Sequence, residues 1–115
     1  MHNKEKSLEE KIRALCERES FAVLATQGSG QPYASLIGFA TTPDLTRLVF
    51  ATPRQTRKYA LLEKENRVAL LVDNRSSKPD NVNELSALTI TGKGSILSLP
   101  DEITKWGELL TNKHP

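Results

Sequence analysis

The run at residues 21–26 constrains the fold more than any other part of the sequence, because it is apolar at almost every position. Such a run predicts a strand covered on both faces, whereas alternating polar and apolar residues would predict one buried face. Gly28 and Gly30 follow directly, and glycine supplies the positive φ angles that tight hairpin turns need. The returning strand is predicted at residues 33–41. The β-structure of this chain therefore starts with an antiparallel hairpin.

Three helices and three more strands are predicted around this hairpin. Ser7 and Glu10 have the spacing of a capping box, and Pro53 favours a helix start because proline lacks the N–H that would have no partner there. Pro43 and Asp44 mark a turn. The predicted helices cover residues 7–18, 53–64 and 100–111, and the further strands cover residues 47–52, 67–72 and 85–97. Residues 73–84 are interpreted as a polar loop.

The order of these elements predicts a fold that is mainly β with flanking helices. We expect an antiparallel sheet that curls into a split β-barrel rather than a doubly wound parallel fold. The 115 residues fit a single domain at residues 1–115, with its barrel at residues 20–97. A barrel of this kind needs one more strand after the last helix, so we expect the chain to lack the final strand.

The overall composition excludes several classes of protein. A net charge of +2 is too small to argue for nucleic acid, and the single cysteine, Cys16, cannot form an internal disulfide. The first residues are polar and lead into no apolar stretch, so we expect no secretory signal, and no apolar run approaches the roughly 20 residues that cross a bilayer. We expect a cytoplasmic protein without a membrane partner. Cys16 and Trp106 are interpreted as core residues, and His2 and His114 as disordered residues near the chain ends.

The segment at residues 52–58 carries the clearest chemical signal. Arg54, Arg57 and Lys58 have the i, i+3, i+4 spacing of one helical face in the first turn of the predicted helix. Cations there oppose the helix dipole, which costs roughly 0.3–1 kcal/mol for each exposed charge. A phosphate would reverse this effect by bonding to the cations and to the hydroxyls of Thr52 and Thr56. The alternative is a solvated basic turn with Thr52 as an ordinary N-cap.

Three passages in order resemble one known family. Residues 24–36, 48–58 and 66–73 are similar to the pyridoxamine 5′-phosphate oxidase-like FMN-binding split-barrel family, in register over residues 20–97. The resemblance implies a six-stranded antiparallel split barrel that forms a homodimer and holds FMN between its subunits. The residues that match Thr52, Arg57 and Lys58 bind the FMN phosphate in such proteins, and the strand that matches residues 35–40 runs beside the flavin ring. The predicted cofactor-binding residues are Ser35, Leu36, Ile37, Gly38, Thr52, Arg54, Thr56, Arg57 and Lys58.

Departures from the family pattern argue against oxidation of vitamin B6. The true oxidases carry arginine and lysine where this chain has Ser35 and Ala40, and a glutamine near the position of Ala87. The segment that binds pyridoxal phosphate in those enzymes has no counterpart before Pro115. The resemblance therefore implies a different flavin-dependent oxidoreductase, with a small-molecule substrate or an electron donor such as NAD(P)H.

Two other hypotheses stay open. Relatives of this scaffold bind the deazaflavin F420 or haem, although the sequence offers no well-placed internal histidine as an axial haem ligand. A non-enzymatic barrel could instead bind single-stranded nucleic acid through Arg54, Arg57, Lys58 and an exposed Tyr33 or Tyr59. The small net charge and the 5% content of aromatic residues argue against nucleic acid. No catalytic residue is assigned and no metal site is expected.

Overall fold

The computed structural model describes residues 7–77 and 85–115. Its helices are α1 (Leu8–Arg18), α2 (Arg57–Lys64) and α3 (Pro100–Lys113), and its strands are β1 (Phe21–Gly28), β2 (Gln31–Thr41), β3 (Leu48–Phe50), β4 (Arg67–Asp73) and β5 (Ala87–Lys93). Within these residues the five strands form one antiparallel sheet in the order β3-β2-β1-β4-β5, which curls into a half-barrel. The predicted class, a mainly β antiparallel split barrel with flanking helices, is confirmed.

Helix α1 begins with the predicted capping box. The Ser7 hydroxyl accepts a hydrogen bond from the Glu10 main-chain N–H at 3.1 Å, and the Glu10 carboxylate accepts one from the Ser7 N–H at 3.0 Å. The helix buries Leu15 and Cys16 against the inner face of the sheet. Burial raises the pKa of the Cys16 thiol. The interpretation of Cys16 as a core residue is therefore confirmed.

The hairpin between β1 and β2 needs special backbone geometry at its tip. Ser29 and Gly30 have φ angles of 55° and 79°, which place both residues in the left-handed region that two-residue hairpin turns use. Gly28 lies in close contact with α2, because a Cβ atom there would force the Cδ2 methyl group of Leu61 to shift. The tip of the hairpin and helix α2 are thus packed directly on each other.

The core lies on the inner face of the sheet. Leu24, Phe39 and Val72 are fully buried there, together with residues of α1. On the outward face of the same strands Phe21 remains 59% exposed. The prediction that the first strand is covered on both faces is therefore wrong for a single copy of the described chain. No residue in ranges 7–77 and 85–115 covers Phe21 on this outward face.

Helix α2 begins at Arg57, and the prediction that it starts at Pro53 is wrong. The Thr56 hydroxyl caps the helix by accepting a hydrogen bond from the Tyr59 N–H at 3.4 Å. The carbonyl oxygen of Pro53 accepts hydrogen bonds from the Thr56 N–H at 3.2 Å and from the Thr56 hydroxyl at 2.8 Å. A separate turn thus precedes the helix, because a threonine cap satisfies its first N–H groups better than an upstream proline does.

Two strands are shorter than the sequence pattern predicts. β3 is limited to Leu48–Phe50 rather than residues 47–52, and β5 ends at Lys93 rather than at residue 97. The Gly94 N–H still donates to the carbonyl oxygen of Asn66 at 2.7 Å, in the same register as the pair Arg67 and Lys93, so the pairing with the β4 side of the chain ends only after this bond.

The predicted loop at residues 73–84 is described only in part. It opens with a turn closed by the Ser77 N–H and the Asn74 carbonyl at 3.0 Å. Residues 78–84 lie outside the described residues, as does His2.

The predicted turn at Pro43 and Asp44 is confirmed. One carboxylate oxygen of Asp44 accepts hydrogen bonds from the hydroxyls of Thr42 and Thr46 at 2.6 and 2.7 Å, and from the Thr46 N–H at 3.1 Å. These bonds favour the charged carboxylate and lower the pKa of Asp44 to about 2. The turn is thus built around a single anionic group.

Helix α3 is attached to α1 and to the sheet by its last turn. The ammonium group of Lys113 donates to the carbonyl oxygens of Cys16 and Glu19, both at 2.7 Å, and lies 3.8 Å from the ring centroid of Phe39. Burial lowers the pKa of Lys113. The C-terminal end of the helix is therefore held against the core by a cation.

The interpretation of Trp106 as a core residue is wrong. Trp106 is half-buried, with the cations of Arg47 and Lys105 at 5.5 and 4.6 Å from its ring centroid, and α3 has no fully buried residue. The helix lies on the rim of the half-barrel, where one side stays in contact with water. No helix in the described parts of the chain is long and apolar enough to cross a bilayer.

Candidate functional site

Two threonine hydroxyls form the centre of the predicted phosphate-binding segment. The hydroxyl oxygens of Thr52 and Thr56 lie 2.9 Å apart, within hydrogen-bond distance. Thr56 also begins α2, so these hydroxyls stand where the first N–H groups of a helix point outward. The Thr56 hydroxyl donates to the carbonyl oxygen of Pro53, so the Thr52 hydroxyl donates to Thr56. An anion bound there would meet the main-chain donors, and the Thr52 hydroxyl would turn from Thr56 to donate to it.

The cations of this segment have no acidic partner in the part of the chain that the structure describes. Arg57 and Lys58 are the first two residues of α2, and the first turn of the helix contains no acid. Among the described residues, no carboxylate forms an ion pair with Arg54, Arg57 or Lys58. Arg54 lies in the turn before the helix, so the predicted single helical face of three cations is not formed. Two cations and two hydroxyls remain together at the helix start.

An open edge of β2 lies beside the basic segment. β3 pairs with β2 only at residues 39–41, and no described strand pairs with residues 31–38 on that side. Arg57, at the start of α2, contacts β2 through its side chain. Its guanidinium group lies 5.7 Å from the ring centroid of Tyr33. The distance suits a cation–π contact. The free main-chain groups of β2 and the basic segment therefore border the same space.

The four predicted residues of β2 point to two faces of the sheet. Ser35 lies opposite Leu24 on the inner face, together with Ile37, which is only 4% exposed. Leu36 and Gly38 point outward, and Leu36 is 63% exposed. The Ser35 hydroxyl oxygen is buried and has no hydrogen-bond partner among the described residues. Such an orphaned polar group costs about 1–3 kcal/mol unless a ligand or water satisfies it.

His114 is a residue that the sequence analysis missed. Its Nε2 atom lies 2.8 Å from the carbonyl oxygen of Phe39, and its ring is in contact with Gly38. The expectation of disorder at this residue is wrong, because α3 carries it back onto β2. The signal in the sequence is the i, i+4 spacing from Leu110, which extends the inner face of the helix by one more residue.

A cavity of about 320 Å³ lies beside this histidine. It is lined by Gly38, Ala51, Leu110, Thr111 and His114. Gly38 belongs to the predicted flavin strand, and Ala51 immediately precedes Thr52. The cavity therefore touches both predicted segments of the site.

The outward face of the sheet is apolar and open. Phe21 and Leu36 are more than half exposed and Leu71 is 37% exposed, and the strand register places all three side chains on this face.

A shallow cleft of about 560 Å³ on the same side is bounded by Arg67 and Lys93, which are directly opposite each other on β4 and β5. None of the predicted site residues lines this cleft.

The curled five-stranded sheet, with a helix start rich in cations beside its second strand, defines a split-barrel protein that has a candidate anion site. The family profile described as pyridoxamine 5′-phosphate oxidase matches residues 8–114. The chain therefore belongs to the pyridoxamine 5′-phosphate oxidase-like family, and the resemblance found in the sequence is confirmed.

Solved structures share this fold at low sequence identity. A conserved hypothetical protein of Mycobacterium tuberculosis has a TM-score of 0.79 and 20% identity, with 95% of this chain and 65% of that chain covered. A protein of unknown function from Agrobacterium tumefaciens has a TM-score of 0.71 and 22% identity, with 90% and 45% covered. The haem storage protein HutZ of Vibrio cholerae has a TM-score of 0.70 and 16% identity, with 94% and 82% covered.

The chain thus spans less than two thirds of the length of the first two of these proteins. At these identities the likeness shows the fold. No curated protein matches the sequence.

Proposed function

We propose that this chain binds FMN and acts as an FMN-dependent oxidoreductase. The observation that carries the proposal is the start of α2, where Arg57 and Lys58 have no acidic partner among the described residues and lie next to the hydroxyls of Thr52 and Thr56. A phosphate monoester carries close to two negative charges and several acceptor oxygens at neutral pH. These four residues would hold it, and Arg54 in the preceding turn would add to the positive field.

The neighbouring part of β2 fits a flavin ring. The Ser35 hydroxyl is buried without a partner among the described residues, and the adjacent strand edge has free main-chain groups. A heteroaromatic ring with several polar atoms would satisfy both, while Leu36, Ile37 and Gly38 form the strand beside it. Bound flavin supplies hydride or single-electron chemistry, and the chain supplies binding, orientation and electrostatics.

Vitamin B6 is not the proposed substrate. Ser35 and Ala40 are uncharged where the true oxidases carry cations, and those oxidases have a glutamine near the position of Ala87. The proposed reaction instead transfers electrons between the flavin and a small molecule, with NAD(P)H as one candidate electron donor.

The proposal includes a homodimer that shares its flavin sites between subunits. Phe21, Leu36 and Leu71 form part of an outward sheet face that no described residue covers, and exposed apolar patches of this kind mark protein interfaces. A second copy would cover the face that the sequence pattern of β1 predicts to be buried. We also propose a cytoplasmic location, because Cys16 is a free buried thiol, which suits a reducing compartment.

An absorption spectrum of the purified protein tests the proposal. We expect a yellow protein with a flavin band near 450 nm (approximate for the free cofactor), which bleaches when NADH or NADPH is added under nitrogen. Mass spectrometry of the released ligand should identify FMN, and size-exclusion chromatography with light scattering should give the mass of a dimer. A colourless protein that does not bind added FMN would overturn the proposal.

Haem is the second candidate ligand. The fold is similar to that of a haem storage protein, and Nδ1 of His114 has no partner among the described residues, whereas Nε2 is bonded to the carbonyl oxygen of Phe39. Parallel titrations with FMN, F420 and haem, followed by absorbance, separate these candidates. A Soret shift with haem and no response to FMN would replace the flavin proposal.

A further inference from the structure

The ring of Tyr33 borders the proposed phosphate site, although Tyr33 is not one of the residues proposed to hold the phosphate. Tyr33 lies on β2 directly opposite Thr26 of β1, and its side chain remains exposed. The guanidinium group of Arg57 lies 5.7 Å from its ring centroid, within the range of a cation–π contact. The ring thus contacts one of the two cations at the start of α2.

The packing of α2 on the β1–β2 hairpin fixes this contact. Leu61 of α2 is buried, and its Cδ2 methyl group lies against Gly28 at the end of β1. Arg57 precedes Leu61 by four residues, so both side chains lie on the same face of the helix. Thr26 precedes Gly28 by two residues and pairs with Tyr33. The face of α2 that packs on the hairpin therefore also brings Arg57 to Tyr33.

The two cations at the start of α2 differ in their surroundings. No carboxylate of the described residues pairs with Arg57 or Lys58. Arg57 has an aromatic partner, whereas Lys58 has none within residues 7–77 and 85–115. A long cationic side chain loses conformational freedom when it binds an anion, and less is lost when another contact already restricts it. Arg57 is therefore the better prepared of the two cations.

We propose that Tyr33 is a positioning residue, whose ring restricts the guanidinium group of Arg57 before the phosphate of the cofactor binds. This inference rests on the proposed function and adds a residue outside the predicted site. The N–H donors of a guanidinium group lie in its own plane, so a contact with an aromatic ring leaves donors available to phosphate oxygens. The ring and the phosphate can therefore hold Arg57 at the same time.

A comparison of FMN with riboflavin tests this role, because riboflavin has the same ring and ribityl chain and lacks the phosphate. Tyr33→Leu removes the aromatic ring and should raise the Kd for FMN about two- to fivefold, the range of an exposed cation–π contact. The Kd for riboflavin should stay within about 1.5-fold of the original, because the contact acts on the phosphate alone. Flavin fluorescence during titration measures both constants. Tyr33→Thr, whose β-branched side chain suits a strand, takes the place of Tyr33→Leu if that variant does not fold.

Two further variants separate the ring from other effects of the substitution. Tyr33→Phe keeps an aromatic ring without the hydroxyl and should restore the Kd for FMN to within about 1.5-fold of the original. Trp106→Leu is the matched control, because it also removes a ring that has an arginine at 5.5 Å from its centroid, but on the rim of the half-barrel. It should leave both flavin affinities unchanged.

Double variants identify the cation on which Tyr33 acts. In an Arg57→Ala background, Tyr33→Leu should cause no further loss of FMN affinity, because its partner is already absent. In a Lys58→Ala background, the same substitution should still raise the Kd about two- to fivefold. Equal further losses in both backgrounds would contradict the proposed coupling.

The remaining outcomes separate this inference from the proposed function. If Tyr33→Leu weakens FMN and riboflavin equally, the ring supports the flavin or the sheet rather than Arg57. If it strengthens FMN binding, the ring competes with the phosphate for Arg57. In both cases, and if the Kd for FMN does not change, this inference is wrong while the proposed function stands. If the original protein does not bind FMN, both proposals fail.

Discussion

Two helices of this chain begin in opposite ways. Helix α1 starts with a complete capping box at Ser7 and Glu10, and its first turn contains acids, which the positive end of a helix dipole favours. Helix α2 also starts with a hydroxyl cap, at Thr56, but its first two residues are Arg57 and Lys58 and its first turn has no acid. The first arrangement is optimal for the helix alone, and the second is not.

The difference indicates what each helix start is for. The cap and acids of α1 satisfy its N–H groups from within the chain, so α1 needs no ligand. Helix α2 retains unfavourable charges of roughly 0.3–1 kcal/mol each, which an external anion would reverse. Local sequence that is poor for stability but good for anion binding is typical of a functional site.

The largest expected effect comes from removing both cations at the start of α2. The double variant Arg57→Ala, Lys58→Ala should weaken FMN binding by about 3–6 kcal/mol, or roughly two to four orders of magnitude in Kd, because each charge-assisted phosphate contact contributes about 1.5–3 kcal/mol. Fluorescence quenching of FMN during titration measures the change.

A charge-matched control separates this site from general electrostatics. The double variant Lys11→Ala, Lys64→Ala also removes two exposed cations, from the middle of α1 and the end of α2. It should leave the Kd for FMN within about threefold of the original value. Equal weakening in both double variants would show that no specific phosphate site exists at the start of α2.

A smaller effect is expected on the stability of the ligand-free protein, and this effect is a gain in stability rather than a loss of binding. Lys58→Glu replaces a cation with an acid in the first turn of α2, and should raise the free energy of unfolding by about 1 kcal/mol while it weakens FMN binding. Urea denaturation of the ligand-free protein measures this.

The mirror substitution in α1 is Glu9→Lys, which places a cation at the helix start and removes an ion pair with Arg13 at 3.0 Å. It should lower the free energy of unfolding by a similar amount and leave FMN affinity unchanged. Destabilisation by Lys58→Glu would contradict the contrast between the two helices.

The smallest expected effect concerns the carboxylate of Asp44, around which the turn after β2 is built. Its folded pKa of about 2 lies below the ordinary 3.8, so its contribution to stability is complete above about pH 3.8 and is lost as the pH falls through about 2. Asp44→Asn should therefore flatten the fall in melting temperature over this interval. Glu108→Gln, at an exposed position of α3, is the control and should keep the slope of the original protein.

The candidate site was predictable from the sequence only in outline. Thr52, Thr56, Arg57 and Lys58 are adjacent in the chain, so their gathering at one helix start follows from local spacing. The sequence predicts a helix start at Pro53, whereas the structure has it at Arg57. Both positions carry signals of a helix start, and the hydrogen bonds of Thr56 select the later one. The orphaned hydroxyl of Ser35 carries no sequence signal at all, since the same residue would be unremarkable on an exposed strand.

The sequence by itself determined the features that depend on residues three or four apart: the capping box of α1, the hairpin tip at Ser29 and Gly30, and the turn around Asp44. Their hydrogen bonds close within one turn of chain, so the local residue types are sufficient. Only the tertiary structure decided that Trp106 stays on the rim and that His114 meets Phe39 across 75 positions of sequence. Such contacts depend on how whole elements pack, which no local pattern encodes.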